Sequence, residues 1–269
     1  TRLPNGMNIL LAERHSVPVV EFTLMVNAGY AADQFGKPGT ANLAMDMLDE
    51  GTKNLNALEI SEELASLGAI ISSNSDLDIS YVHLSALKEN LDASLDLFAD
   101  VILNPAFPEE DFNRQQKQTL AKIQRESVTP LQMALRMFPQ YLYGNDHAYG
   151  NPLTGTGTET SVNSMTIADL KGFHNTWFKP NNATLVAVGD ITMDELESKM
   201  KRLFAGWEKG EVPKKNIGMV AEQKQSVVYL MDRPESEQSL VFGGHIAPPT
   251  LNPDEEAIQM LNDILGGSF

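Results

Sequence analysis

The chain has 269 residues, 42% hydrophobic and 21% charged, which is enough apolar side chain for a sizeable core. Its 36 Asp and Glu outweigh 20 Lys and Arg, giving a formal charge of −16. That balance disfavours nucleic acid and anionic membrane surfaces, since both are polyanions. The lack of cysteine excludes disulfides, thiolate nucleophiles and Cys-ligated zinc, and no apolar run reaches the ~18–20 residues of a transmembrane helix.

In chain order, residues 7–13 and 18–28 read as strands around an Arg14-His15 turn. Residues 39–48 read as a helix, and so do 58–67, where Leu58, Ile60, Leu64 and Leu67 form a stripe of helical period. Residues 69–73 and 79–87 follow as strands, with a polar turn at Asn74-Ser75-Asp76. Three helices come next. The first, 90–104, stops at Pro105, which cannot continue a helix. The second is a polar amphipathic one over 109–126, and the third, 130–143, has proline at its first position. After a loop from Gly144 to Thr160, Thr166 caps another helix, 183–188 is a strand, and 192–207 is a helix. The aperiodic stretch 209–223, with Pro213, reads as a linker. Residues 226–231 and 238–245 read as a strand pair, and 252–265 as a helix ending at Gly266. The class is α+β, with one domain over 1–208, the linker, and a shorter second unit over 224–269. No signal peptide is visible. The chain starts at Thr1 and stops at Phe269, soon after Gly266-Gly267, and reads as a piece of something longer.

Chemistry is sparse. None of the five histidines (His15, His83, His147, His174 and His245) lies three or four residues from another, so none pairs on a helical face to hold zinc. His83 in its apolar strand reads as a packed core residue, and His147, in Asn145-Asp146-His147-Ala148-Tyr149-Gly150, as a loop histidine bonded to backbone. His174 and His245 carry no signal. There is no GxSxG elbow and no phosphate-cradling GxxxxGK[ST]. Asp46, Asp49 and Glu50 read first as an exposed helix end.

Several segments together nevertheless resemble the pitrilysin/insulinase (M16) family of zinc metallopeptidases, which includes the mitochondrial processing peptidase. They are Leu3-Pro4-Asn5-Gly6-Met7, then Val26-Asn27-Ala28-Gly29, resembling the family's first hairpin, and Gly39-Thr40-Ala41-Asn42-Leu43-Ala44-Met45-Asp46-Met47-Leu48-Asp49-Glu50-Gly51-Thr52. The series continues with Tyr143 to Gly150, Gly155-Thr156, and Phe173 through Trp177-Phe178-Lys179-Pro180 to Gly189-Asp190. The resemblance implies a LuxS/MPP-like fold, an antiparallel sheet covered by helices, followed by the start of a second similar unit.

Where a family member carries an inverted HxxEH zinc helix, this chain has Asn42, Met45 and Asp46. Met45 stands in the place of the general base, Lys122 in that of the third ligand, and Gln115 in that of the Glu supporting it. An amide, a lone acid and an ammonium do not make a zinc site. The resemblance therefore implies a non-catalytic domain or subunit with no metal of its own. It would close a chamber and help bind peptide for a zinc-bearing half, in the same chain or as a separate subunit, without nucleic acid or membrane insertion. Bacterial relatives imply the periplasm or cell envelope, and halves of this kind can carry an Arg/Tyr pair further along, beyond Phe269. The alternatives are a metallopeptidase using an unorthodox site around Asp46 and His147, and a purely architectural subunit. Asp46 and Lys122 are expected to form an ion pair in place of the metal. Breaking such a pair costs ~3–5 kcal/mol if it is buried, whereas an exposed pair contributes only ~0–1 kcal/mol.

Overall fold

The structure, a computed structural model, describes residues 1–220, 225–234 and 236–267 and divides into two units, Thr1–Gly218 and Met219–Phe269. The first unit is built on five strands, β1 (Asn8–Glu13), β2 (Val19–Val26), β3 (Ile70–Ser75), β4 (Ser80–Leu87) and β5 (Ala183–Gly189), in the order β1-β5-β2-β4-β3. Alternation assigns the faces. Val20, Phe22, Leu24 and Val26 of β2 and Val82, Leu84 and Ala86 of β4 point into the core, and the residues between them point away.

Eight helices belong to this unit: α1 (Thr40–Asp46), α2 (Ala57–Leu67), α3 (Leu91–Leu103), α4 (Glu109–Glu126), α5 (Pro130–Tyr143), α6 (Glu159–Asn163), α7 (Ile167–Trp177) and α8 (Met193–Leu203). Their ends follow local chemistry. Asn56 and Glu59 form a reciprocal capping box on α2, which Gly68 ends in the left-handed region at φ 61°. Thr166 and Asp169 cap α7 in the same way. Helix α4 opens with Glu109, Glu110 and Asp111, whose charges suit a helix N-terminus, and α5 opens on Pro130. The fully buried side chains include Phe22, Phe98, Phe204, Met7, Ile9 and Leu24.

Four sequence expectations need correction. Strands β1 and β2 do not pair with each other. Strand β5 lies between them, parallel to β1 (Ile9 opposite Leu185) and antiparallel to β2 (Leu24 opposite Leu185), so the sheet is antiparallel except at β1–β5. The nearly unbroken apolar run of β5 suits an inner position, whereas β1, largely exposed along its length, sits at an edge. Helix α8 stops at Leu203, short of Trp207, whose indole N–H donates to Phe178 O at 2.9 Å. Residues 209–218 do not form a free linker. They dock on the first unit, and Lys215 is buried with its ammonium on Asn27 Oδ1 (2.9 Å) and Asp78 O (3.1 Å). Residues 221–223 of that expected linker lie outside the described residues.

In the second unit the described residues of the expected strand pair form no strand, and Val228, Leu230 and Val241 are 90%, 92% and 92% exposed. A strand needs a neighbour for its backbone and a surface to bury one face against, and this short unit supplies neither. Its helix is α9 (Glu255–Asn262), followed by a turn that passes through Gly266 at φ 151°.

His174 on α7 carries a pH dependence. Its ring is buried, stacks on Phe178 at 4.6 Å between centroids, and bonds Ile102 O through Nε2 at 2.8 Å. Burial pulls its pKa below the usual 6.5. The folded state thus prefers the neutral ring, so this stabilisation is complete above pH 6.5 and is lost as pH falls through the lower folded value. Urea unfolding between pH 7.5 and pH 5 is expected to show declining stability, with a shallower slope in the His174→Gln variant.

Candidate functional site

Helix α1 is short and almost entirely enclosed. Gly39 at φ 95° turns the chain into it, and a Cβ there would come within 2.7 Å of Thr156 O. The buried Asp33 carboxylate accepts the N–H groups of Gly39 (2.7 Å) and Ala41 (2.9 Å), capping the helix from outside it. Burial pushes the pKa of Asp33 up to about 8, against the pull of those backbone bonds. The segment 152–157 lies over the same end. Gly155 sits so close to α1 that a Cβ would meet Asn42 Nδ2 at 2.4 Å. Asn42 donates a long 3.5 Å bond to Thr154 O, and its Oδ1 is the one buried side-chain acceptor among the described residues without a partner. Met45 is 0% exposed and packs in the core, with its backbone carbonyl taking the Ser73 hydroxyl at 2.7 Å.

The C-terminal end of α1 opens onto a recess of about 440 Å³ beside β3, bordered by Asp46, Asp49, Glu50, Ser72 and Ser73, with Gln115 of α4 across it. Asp46 reaches solvent at the mouth. The surrounding protein nevertheless raises its pKa by desolvation, Lys122 pulls it down, and Asp49 and Glu50 push it up. The expected Asp46–Lys122 ion pair is not among the ion pairs of the described residues, all of which lie within 4.0 Å; Lys122 stays exposed on α4 and acts on Asp46 through space alone. Water solvates a flexible ammonium well, and ordering it costs side-chain entropy that a partly exposed pair does not recover. The helices are joined instead at Glu50, which accepts Gln115 Nε2 at 2.7 Å and Arg114 Nη2 at 2.6 Å.

Zinc requires three protein ligands at about 2.0–2.3 Å. The positions that the resemblance gives to the ligands hold an amide, one carboxylate and a cation, and Met45, which it sets in the place of the general base, is sealed in the core. These residues do not fit the metal, and no group of three or more His, Asp or Glu that could hold a metal ion occurs among the described residues.

The family model described as Insulinase (Peptidase family M16) matches residues 8–157, and that of the Peptidase M16 inactive domain matches residues 164–269. The chain belongs to peptidase family M16. An uncharacterized zinc protease of Rickettsia felis is 25% identical over 222 residues, covering 81% of this chain and 53% of that protein. The zinc protease PqqE of Helicobacter pylori is 23% identical over 269 residues, covering 98% of this chain and 60% of that protein. Among solved structures, a peptidase M16 inactive domain from Pseudomonas fluorescens superposes with a TM-score of 0.74 at 26% identity, over 84% of this chain and 53% of that one. The periplasmic protease PqqL of Escherichia coli shares the fold, with a TM-score of 0.72 at 18% identity over 83% of this chain and 25% of that one. The chain thus spans only about half to three-fifths of the length of the curated relatives it matches.

The histidines of this M16 chain are held by backbone or lie away from α1. His147 accepts the Tyr149 N–H at Nδ1 (3.0 Å), which makes Nε2–H the donor to Gly218 O (3.0 Å). Both ring nitrogens are thus engaged by backbone of the 147–149 turn and of Gly218. His83 is not in the core. It lies on the outer side of β4, stacked on Tyr81 at 5.7 Å and bonded to Thr23 Oγ1 at 3.0 Å. His15 is exposed against Asp190 at 2.6 Å, and His245 bonds Ile246 O at 2.9 Å.

Sequence reasoning missed a buried network one turn beyond Lys122. Glu126 Oε2 accepts Arg136 Nη1 and Thr156 Oγ1, both at 2.7 Å, and Arg136 Nη2 donates to Gly157 O at 2.7 Å. It fastens α4, α5 and the 152–157 segment over α1. No local signal distinguishes Glu126 from the other acids of α4; only the tertiary fold brings Arg136 to it. Arg136→Met is expected to destabilise the domain by about 3–5 kcal/mol, because it strands a buried carboxylate. Denaturant titration against Lys122→Met, for which a change under ~1 kcal/mol is expected, provides the measurement.

Proposed function

We propose that this domain is the non-catalytic partner of a zinc-bearing M16 half, in the same chain or as a separate subunit, helping to close a peptide chamber and to hold extended peptide. The carrying observation is the burial of Met45. The position that would hold the general base offers a thioether with no access to water, so no proton can be taken from an attacking water there.

What remains suits binding. Strand β3 lies at the sheet edge, where its outer backbone groups are open to pair with an added strand. The recess beside it presents the carboxylates of Asp46 and Asp49, next to Glu50, which Arg114 and Gln115 already hold. Side chains of an added strand alternate between faces, so every second one would point toward these acids, which favours Lys and Arg. Residues 224–269 are read as the start of a second M16-type domain. The exposed apolar residues Val228, Leu230 and Val241 support this, since further strands would cover them. A periplasmic or envelope location is proposed by analogy with PqqL, and no helix among the described residues is long and apolar enough to cross a membrane.

The test has two parts. Purified protein incubated with zinc and then dialysed is expected to retain no stoichiometric metal. Extended Lys/Arg-rich peptides are expected to bind more tightly than acidic ones by about fivefold or more at low salt, an advantage that shrinks as the salt rises and drops in Asp46→Asn. One bound zinc per chain, or equal affinity for both peptide classes, sinks the proposal.

A further inference from the structure

The segment Tyr143-Gly144-Asn145-Asp146-His147-Ala148-Tyr149-Gly150 stood out in the sequence but has no part in the metal locus or the peptide recess. Its contacts point elsewhere. Within the first unit, three of its groups meet the last residues before Met219, and a fourth meets Asp78. Ala148 N–H donates to Asn216 O at 2.9 Å, and Asn216 Nδ2 donates to Asp146 O at 2.9 Å. His147 Nε2–H donates to Gly218 O at 3.0 Å. The Tyr149 hydroxyl donates to both oxygens of Asp78 (2.9 and 3.0 Å), the residue that also receives the buried Lys215 ammonium. Asn216 N–H adds a bond to Gln34 Oε1 at 2.7 Å. An ordinary linker would leave these groups to water.

The same loop continues directly onto α1. Asn151 Nδ2 donates to Tyr30 O at 3.3 Å, the Tyr30 hydroxyl donates to Leu153 O at 3.0 Å, and Thr154 O receives the Asn42 amide. Gly150 is hemmed in, since a Cβ there would come within 2.1 Å of Gly144 O. Short spans pinned at both ends do not move independently at each end.

We propose that residues 144–157 form a clasp. One end fixes the point at which the chain leaves the first unit, and the other rests on the start of α1, so a pull on the exit at Gly218 is felt at Asn42. Displacement of the second unit is then transmitted to the helix that borders the peptide recess. The coupling is a property of this loop and does not depend on whether peptide binds.

Hydrogen exchange on the 269-residue chain tests it. Asn216→Ala alters a segment without regular secondary structure, and His147→Gln removes the paired acceptor and donor of the ring. In either variant, amides in 209–218 are expected to exchange about tenfold faster and those in 152–157 at least threefold faster, while β2 and β4 stay unchanged. Unchanged exchange in 209–218 overturns the clasp. Faster exchange there, with 152–157 unaltered, overturns the coupling.

Discussion

Helix α1 has seven residues, and five of them are buried between the sheet, α7 and the 152–157 segment. That enclosure is the constraint on which the site depends. A helix this short does not hold itself together by propensity, because nucleation is unfavourable and only a few bonds repay it. It is kept by what surrounds it: Asp33 satisfies its first N–H groups, Gly155 and Gly39 let the loop approach closely, and Leu43 and Met45 fill the core. Side chains on its inner face are therefore selected for packing. A carboxylate at position 45 would be buried among the apolar side chains packed there, at a desolvation cost.

Helix α1 and the loop over it are joined to α4 at two points. Each point combines an arginine–glutamate ion pair with hydrogen bonds. Near the start of α4, Gln115 and Arg114 hold Glu50, just beyond α1; at its far end, Glu126 and Arg136 hold the loop that covers α1. The first set is partly exposed and screened by solvent, and the second is buried. The buried set thus carries the positional information, at the desolvation cost that any buried ion pair incurs.

Much of the architecture was legible in local signals. The bounds of α4 and α5 coincide with those read from the polar amphipathic run 109–126 and from Pro130, because such features act within a few turns. The cap at Thr166 and the β3–β4 pair were readable for the same reason. What stayed hidden is non-local. Nothing near Arg14 says that β5, some 170 residues later, will separate β1 from β2. The docking of 209–218 was hidden as well, since bonds to other loops leave no periodicity in the docked segment. Asn42, Met45, Asp46 and Lys122 were legible as types, whereas their orientations were not: Met45 turns inward, Lys122 outward, and Asp46 does not meet Lys122.

A recess that does not suit a metal can still suit a cationic side chain. A divalent ion demands several donors at fixed short distances, and it is lost when two of them change. An ammonium or guanidinium on a long side chain demands much less. One carboxylate within reach is enough, and a second nearby adds to the field without a fixed geometry. Burial raises the pKa of Asp46 and of Asp49, and neighbouring acids add repulsion; Lys122 opposes it at Asp46 and Arg114 pairs with Glu50, so the repulsion is only partly compensated. A cationic side chain entering on a strand beside β3 would relieve that repulsion, while a small ion would find too few oxygens at bonding distance. Residues that do not fit a divalent ion are in this way compatible with the basic peptide proposed above.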